Sequence, residues 1–233
     1  MNENQKAPGR FAGRRVLITH ADRYMGPAIG DRFALEDAVV MRDFGSYVGD
    51  PDEPARIVAA AGKIDILALN LFPRSPKGIP AQDISEDHWQ AMFDDMAHPT
   101  MRFVKAVLPQ MIARREGKIV VVTSAAPLRA MGPTAAYSAA RGAQNAYVRV
   151  AGAEVAQYNV QINAIGQNFV YGGYPKNAME IPEIRDRVLN EVPARRLAEG
   201  WEQAELVLFL ASQNSNFISG QVIPFAGGWV TST

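Results

Sequence analysis

Short apolar runs alternate along the chain with longer stretches whose apolar positions recur every three to four residues. That alternation predicts strand–helix–strand units built on a parallel sheet. Strands are expected over residues 16–19, 38–42, 64–69, 118–124, 160–165 and 222–225. Helices are expected over 26–35, 54–61, 85–115, 134–157, 182–191 and 201–212. The third helix is broken or restarted at Pro99, which has no backbone N–H to donate. The run over 64–69 is apolar almost without interruption, as a central strand covered on both faces requires. The pattern gives an α/β fold, a doubly wound parallel sheet of about seven strands with helices on both faces. No repeat or composition shift marks a linker, so one domain is expected over 13–233, behind a flexible segment over 1–12.

Composition then removes several functions. Lys+Arg number 24 and Asp+Glu number 24, so the chain lacks the excess of cations that binds nucleic acid or an anionic membrane. Cysteine is absent, which excludes disulfides, thiolate metal sites and a thiol nucleophile. A cysteine-free chain suits a reducing compartment, and a cytoplasmic location is expected. His20, His88 and His98 are far apart and lack metal-ligand spacing, so no metal is expected, and His88 and His98 read as structural or solvated. No stretch reaches the ~20 apolar residues that span a bilayer. The polar start carries no apolar run of the signal-peptide kind.

The chemistry concentrates on three residues. Ser124 ends the strand over 118–124, Tyr137 follows in the first turn of a helix, and Arg141 lies four positions further on the same helix face. A phenol ionises near pH 10, so a tyrosine that accepts a proton at neutral pH needs a cation beside it, and Arg141 is a permanent one.

Through Val121-Val122-Thr123-Ser124, Tyr137-Ser138-Ala139-Ala140-Arg141, Asn163-Ala164-Ile165 and Ser219-Gly220-Gln221-Val222, the sequence resembles the short-chain dehydrogenase/reductase superfamily, from Gly13 to Trp229. The resemblance implies a single Rossmann-like catalytic domain. Its departures are instructive. Where the dehydrogenases have lysine, this chain has Arg141, as the halohydrin dehalogenases do. Where dinucleotide binders show Thr-Gly-x-x-x-Gly-x-Gly, this chain reads Thr19-His20-Ala21-Asp22-Arg23-Tyr24-Met25-Gly26, so His20 and Tyr24 stand in place of two glycines. The Asn-Ala-Gly motif becomes Asn70-Leu71-Phe72-Pro73, and the asparagine of the helix before Pro109 becomes Met96. Asp43, at the position of the ribose-binding acid, is given no cofactor role. No cofactor is expected.

The resemblance to the dehalogenase branch implies a halide or nucleophile site in the loop of Gln167, Asn168, Phe169 and Val170, where successive N–H groups can form an anion nest. Tyr24 is placed in its wall, with Phe72, Tyr174 and Trp229 as further pocket residues, the last in its own or a neighbouring subunit. It also implies the activity, in which halide is displaced from a vicinal haloalcohol to give an epoxide, with ring opening by azide, cyanide or nitrite in reverse. The expected partners are therefore the haloalcohol or epoxide and small anions, in a homo-oligomer, a tetramer by resemblance. The alternative is an NAD(P)-dependent short-chain oxidoreductase with a divergent cofactor motif.

Overall fold

The structure is a computed structural model that describes residues 9–74, 78–173 and 177–231. Six strands, β1 (Arg15–Ile18), β2 (Val39–Arg42), β3 (Ile66–Asn70), β4 (Gly117–Ser124), β5 (Val160–Gln167) and β6 (Val222–Phe225), form one parallel sheet in the order β2-β1-β3-β4-β5-β6. The helices are α1 (Gly26–Leu35), α2 (Glu53–Ala61), α3 (Glu86–Met92), α4 (His98–Arg114), α5 (Ala135–Val155), α6 (Pro182–Glu191) and α7 (Gly200–Ala211).

Side-chain alternation divides the core in two. Leu17, Leu67, Leu69, Ile119, Val121 and Ile162 pack one face against Val58 of α2, Phe103 and Val107 of α4 and Val148 of α5. Their neighbours Val16, Ile18, Ile66, Ala68, Val120 and Ile165 pack the other face against Ile29 and Phe33 of α1 and Val207 and Leu208 of α7. Every residue of β3, β4 and β5 is buried, which explains the nearly continuous apolar run of β3, while β4 and β5 also bury polar residues such as Lys118, Gln161 and Asn163.

Two local features depart from the sequence pattern. The break expected at Pro99 lies earlier, in a π turn over Phe93–Ala97 that joins α3 to α4. The His98 N–H reaches back five residues to the Phe93 carbonyl, and Pro99, which has no N–H, follows on the widened turn. Within the segment over 1–12, Gly9 N donates to Asp37 Oδ2 at 2.7 Å, and buried Phe11 meets Phe33 edge-on at 5.0 Å.

The strand order reverses between β1 and β3, and the crevice beyond the carboxyl ends of the strands opens there. Asn70, Ser124, Gln167 and Phe225 all end their strands on that rim. Register places Ser124 opposite Gln167, and Gln167 opposite Phe225.

Candidate active site

Ser124 is buried, and its Oγ accepts a hydrogen bond from Ala126 N at 3.1 Å, turning the chain out of β4. Tyr137 stands half-buried in the first turn of α5, and one turn later Arg141 is fully enclosed. The Arg141 Nε donates to Tyr137 Oη at 3.2 Å, and the guanidinium carbon lies 5.3 Å from the centre of the tyrosine ring. Its Nη1 donates to the Val122 carbonyl and to Gln144 Oε1, each at 3.0 Å, while Nη2 has no hydrogen-bond partner among the described residues.

The β1–α1 loop keeps the backbone of a glycine loop and changes its surface. His20 (φ 44°) and Tyr24 (φ 54°) both occupy the left-handed region, where a side chain costs about 1–2 kcal/mol. Asn70 fastens that loop, donating from Nδ2 to the His20 and Arg23 carbonyls at 3.0 Å each. The His20 ring stacks on Tyr47 at 4.8 Å, and burial, followed by the nearby charge of Arg23, pushes its pKa down. The Tyr24 ring leans on Phe72 at 5.3 Å, and its hydroxyl accepts from Gln167 Nε2 at 2.6 Å. Glycine is needed opposite this ring, because a Cβ at Gly173 would stand 3.0 Å from the Tyr24 ring and one at Gly172 (φ 110°) 2.8 Å from the Tyr24 carbonyl.

A cavity of about 580 Å³ joins these parts. Ser124, Tyr137 and Arg141 line it together with Tyr24, Phe72, Gln167, Asn168, Phe169 and Val170, so residues spread over nearly 150 positions of sequence meet at one site. Arg23, Arg74 and His88 line it as well, and sequence reading had not placed any of the three there. His88 is half-exposed on this wall, as a solvated side chain would be. It stands two residues into α3, and nothing in its local sequence shows which way the helix faces. Arg74 is held by Asp95, with Nε donating to Oδ1 at 2.7 Å and its backbone N to Oδ2 at 2.8 Å.

Trp229 does not line the cavity of its own chain. It lies behind Phe169, ring centres 5.7 Å apart, and its Nε1 donates to Glu191 Oε2 at 2.9 Å. In the loop of Gln167 to Val170, Asn168 N donates to the Phe225 carbonyl at 3.1 Å and Phe169 holds a left-handed backbone (φ 55°). The buried Asn168 Nδ2 has no hydrogen-bond partner among the described residues. Tyr174 lies outside the described residues.

Asp43, at the end of β2, accepts a hydrogen bond from the buried Tyr47 hydroxyl. Burial, and then the charge of Asp43, push the Tyr47 phenol far above its ordinary range, so it remains a donor. Among the described residues no group of three or more His, Cys, Asp or Glu is placed to hold a metal, and no helix is long and apolar enough to cross a membrane.

A family model described as enoyl-(acyl carrier protein) reductase matches residues 52–230, and the chain belongs to this family within the short-chain dehydrogenase/reductase superfamily. Among curated proteins it is 29% identical to "Dehydrogenase/reductase SDR family member 4" of Bos taurus, over 78% of this chain and 66% of that protein. Among solved structures it is similar to a "Dehalogenation enzyme" (28% identity, TM-score 0.85, 94% of this chain and 99% of that one). It also shares its fold with the halohydrin dehalogenase HheC bound to ethyl (2S)-oxiran-2-ylacetate (24% identity, TM-score 0.86, 94% and 98%).

Proposed function

We propose that this chain is a halohydrin dehalogenase, converting a vicinal haloalcohol into an epoxide, a halide ion and a proton. The observation that carries this is the altered glycine loop. It holds His20 and Tyr24 in left-handed backbone conformations and points the Tyr24 ring into the cavity that Ser124, Tyr137 and Arg141 share. A dinucleotide needs close approach of its pyrophosphate to bare backbone at this turn, and these residues do not fit one.

In the mechanism, Ser124 and Tyr137 hold the substrate hydroxyl. Tyr137, as phenolate beside Arg141, takes the hydroxyl proton. The alkoxide attacks the adjacent carbon from the back, the C–O bond forms as the carbon–halogen bond breaks, and the halide leaves with the bonding pair. Asn168 Nδ2 is the donor for that anion, within the apolar surroundings of Phe169 and Val170. Run backwards, the same groups open an epoxide with azide, cyanide or nitrite, returning the proton from Tyr137 to the alkoxide.

The family match favours a second function, an NAD(P)-dependent oxidoreductase. Acidification of an unbuffered solution of a brominated propanol tests the first, and titration with NADH or NADPH tests the second. Halide release without dinucleotide is expected, and micromolar dinucleotide binding with no halide release from a panel of haloalcohols would reverse the assignment.

A further inference from the structure

Gln144 sits one turn beyond Arg141 on α5 and is 1% exposed. Its side chain can be oriented from its neighbours alone. Nε2 lies 3.1 Å from the Met96 carbonyl and 2.7 Å from Thr100 Oγ1. The carbonyl can only accept, so the amide nitrogen faces it. The guanidinium of Arg141 can only donate, so Oε1 faces Nη1 at 3.0 Å. Thr100 Oγ1 donates in turn to the same Met96 carbonyl at 2.8 Å. Each hydrogen bond in this buried chain therefore has one direction. It runs from the π turn over Phe93–Ala97, through Gln144, to the arginine beneath Tyr137.

We propose that Gln144 is a positioning residue, which fixes the rotation of the Arg141 guanidinium so that Nε meets the Tyr137 hydroxyl. Nη1 is held between two acceptors from different elements, the Val122 carbonyl of β4 and Gln144 Oε1 of α5, and two fixed points set the plane of a rigid fork. With the Val122 carbonyl alone the fork pivots, and Nε loses its line to the phenol oxygen. The charged and titratable groups that share the cavity with Tyr137 are Arg141 and, on its wall, Arg23, Arg74 and His88, with Asp95 tied to Arg74. Gln144 adds no charge of its own, so its effect is exerted through Arg141. The role rests on Tyr137 being the base of the proposed reaction, although it can be measured without substrate.

The test follows tyrosine ionisation by ultraviolet difference spectroscopy. Each protein is titrated beside the same protein carrying Tyr137→Phe, so that the remaining tyrosines cancel. Gln144→Leu is expected to move the Tyr137 ionisation upward by about one pH unit. Gln144→Glu still accepts from Nη1 and moves it upward by charge instead, because its carboxylate offsets the Arg141 cation. Thr100→Val, which removes one support of the amide, moves it less in the same direction. With a haloalcohol the same variants lose kcat by roughly tenfold while KM changes by less than about twofold, as for a misplaced catalytic group. A Gln144 variant with a native melting transition that titrates Tyr137 at the wild-type pH overturns the role. If both Gln144 variants fail to fold, an unmoved Tyr137 in Thr100→Val overturns it instead. An absence of halide release from every variant and from the parent, with the ionisation shifts present, would count against dehalogenation and leave the positioning role standing.

Discussion

The Nε of Arg141 donates to the hydroxyl oxygen of Tyr137 across 3.2 Å, and the Arg141 side chain is wholly withdrawn from solvent. A buried guanidinium stays charged where a buried ammonium is driven toward neutrality, so this contact delivers a full positive charge to the phenol. Lysine at the same place has neither the planar fork nor a second nitrogen to reach Val122 and Gln144. Arg141→Lys is expected to lower kcat by on the order of a hundredfold, at the lower end of what one general base contributes. Tyr137→Phe is expected to abolish turnover and to leave the melting temperature within about two degrees, since the half-buried ring stays in place. Steady-state kinetics and thermal melts on the pair check both statements.

Tyr24 balances two opposing effects. Replacing it with glycine relieves a left-handed backbone by about 1 kcal/mol. The same change removes the ring from Phe72 and Gly173, worth about 2 kcal/mol of burial, so burial wins and a net loss of roughly 1 kcal/mol is expected. The cavity wall is lost with the ring, and Gln167 Nε2 loses its acceptor. A rise in KM of about tenfold with modest destabilisation is the expected result, read from denaturant titration and kinetics together.

Asn168→Asp replaces the unpartnered amide donor with a carboxylate of the same shape. A negative charge there repels an anion that the amide attracts. Product inhibition by bromide is expected to weaken at least about tenfold, as one charge-assisted contact is exchanged for repulsion. Inhibition constants at fixed ionic strength measure it.

Lys118 lies at the other end of β4, 6% exposed, with its Nζ 3.3 Å from Ser215 Oγ. Burial, and then the like charge of Arg14, push its ammonium down to about 8 from the ordinary 10.5. Between those two pH values the unfolded chain holds a proton that the folded chain has released, so stability contributed by this group rises with pH across that window. Below pH 8 the folded state carries the buried cation and its cost in full. Lys118→Met is expected to raise the melting temperature by a few degrees at pH 7, and the gain shrinks toward nothing as the pH approaches 10.5. Melts across that range test the sign.

Much of the fold is legible in the chain because its signals are local. Proline at the first helical turn marks the starts of α1 and α6, and the observed bounds of both helices, like those of β6, are the expected ones. The break before α4 was placed at Pro99, since proline is the visible cause, but the backbone widens one turn earlier to accommodate it. Of the residues that line the cavity, Ser124, Tyr137, Arg141 and the loop of Gln167 to Val170 are expected from spacing and resemblance. Gln144 is not, because its place one turn from Arg141 is local but its hold on the Met96 carbonyl and Thr100, 48 and 44 positions away, is a tertiary contact. That His88 faces the cavity and Trp229 packs behind Phe169 depends on how α3 and Phe169 pack, which no local signal states.

The most direct measurement combines a halide electrode, a pH-stat and gas chromatography on one reaction, with dinucleotide-free protein and a brominated propanol. Bromide, proton and epoxide in equal amounts, absent from the Tyr137→Phe variant, are the expected result. No bromide or epoxide under any condition, together with hydride transfer from NADH or NADPH to a carbonyl substrate, would contradict dehalogenation and return the chain to its oxidoreductase relatives.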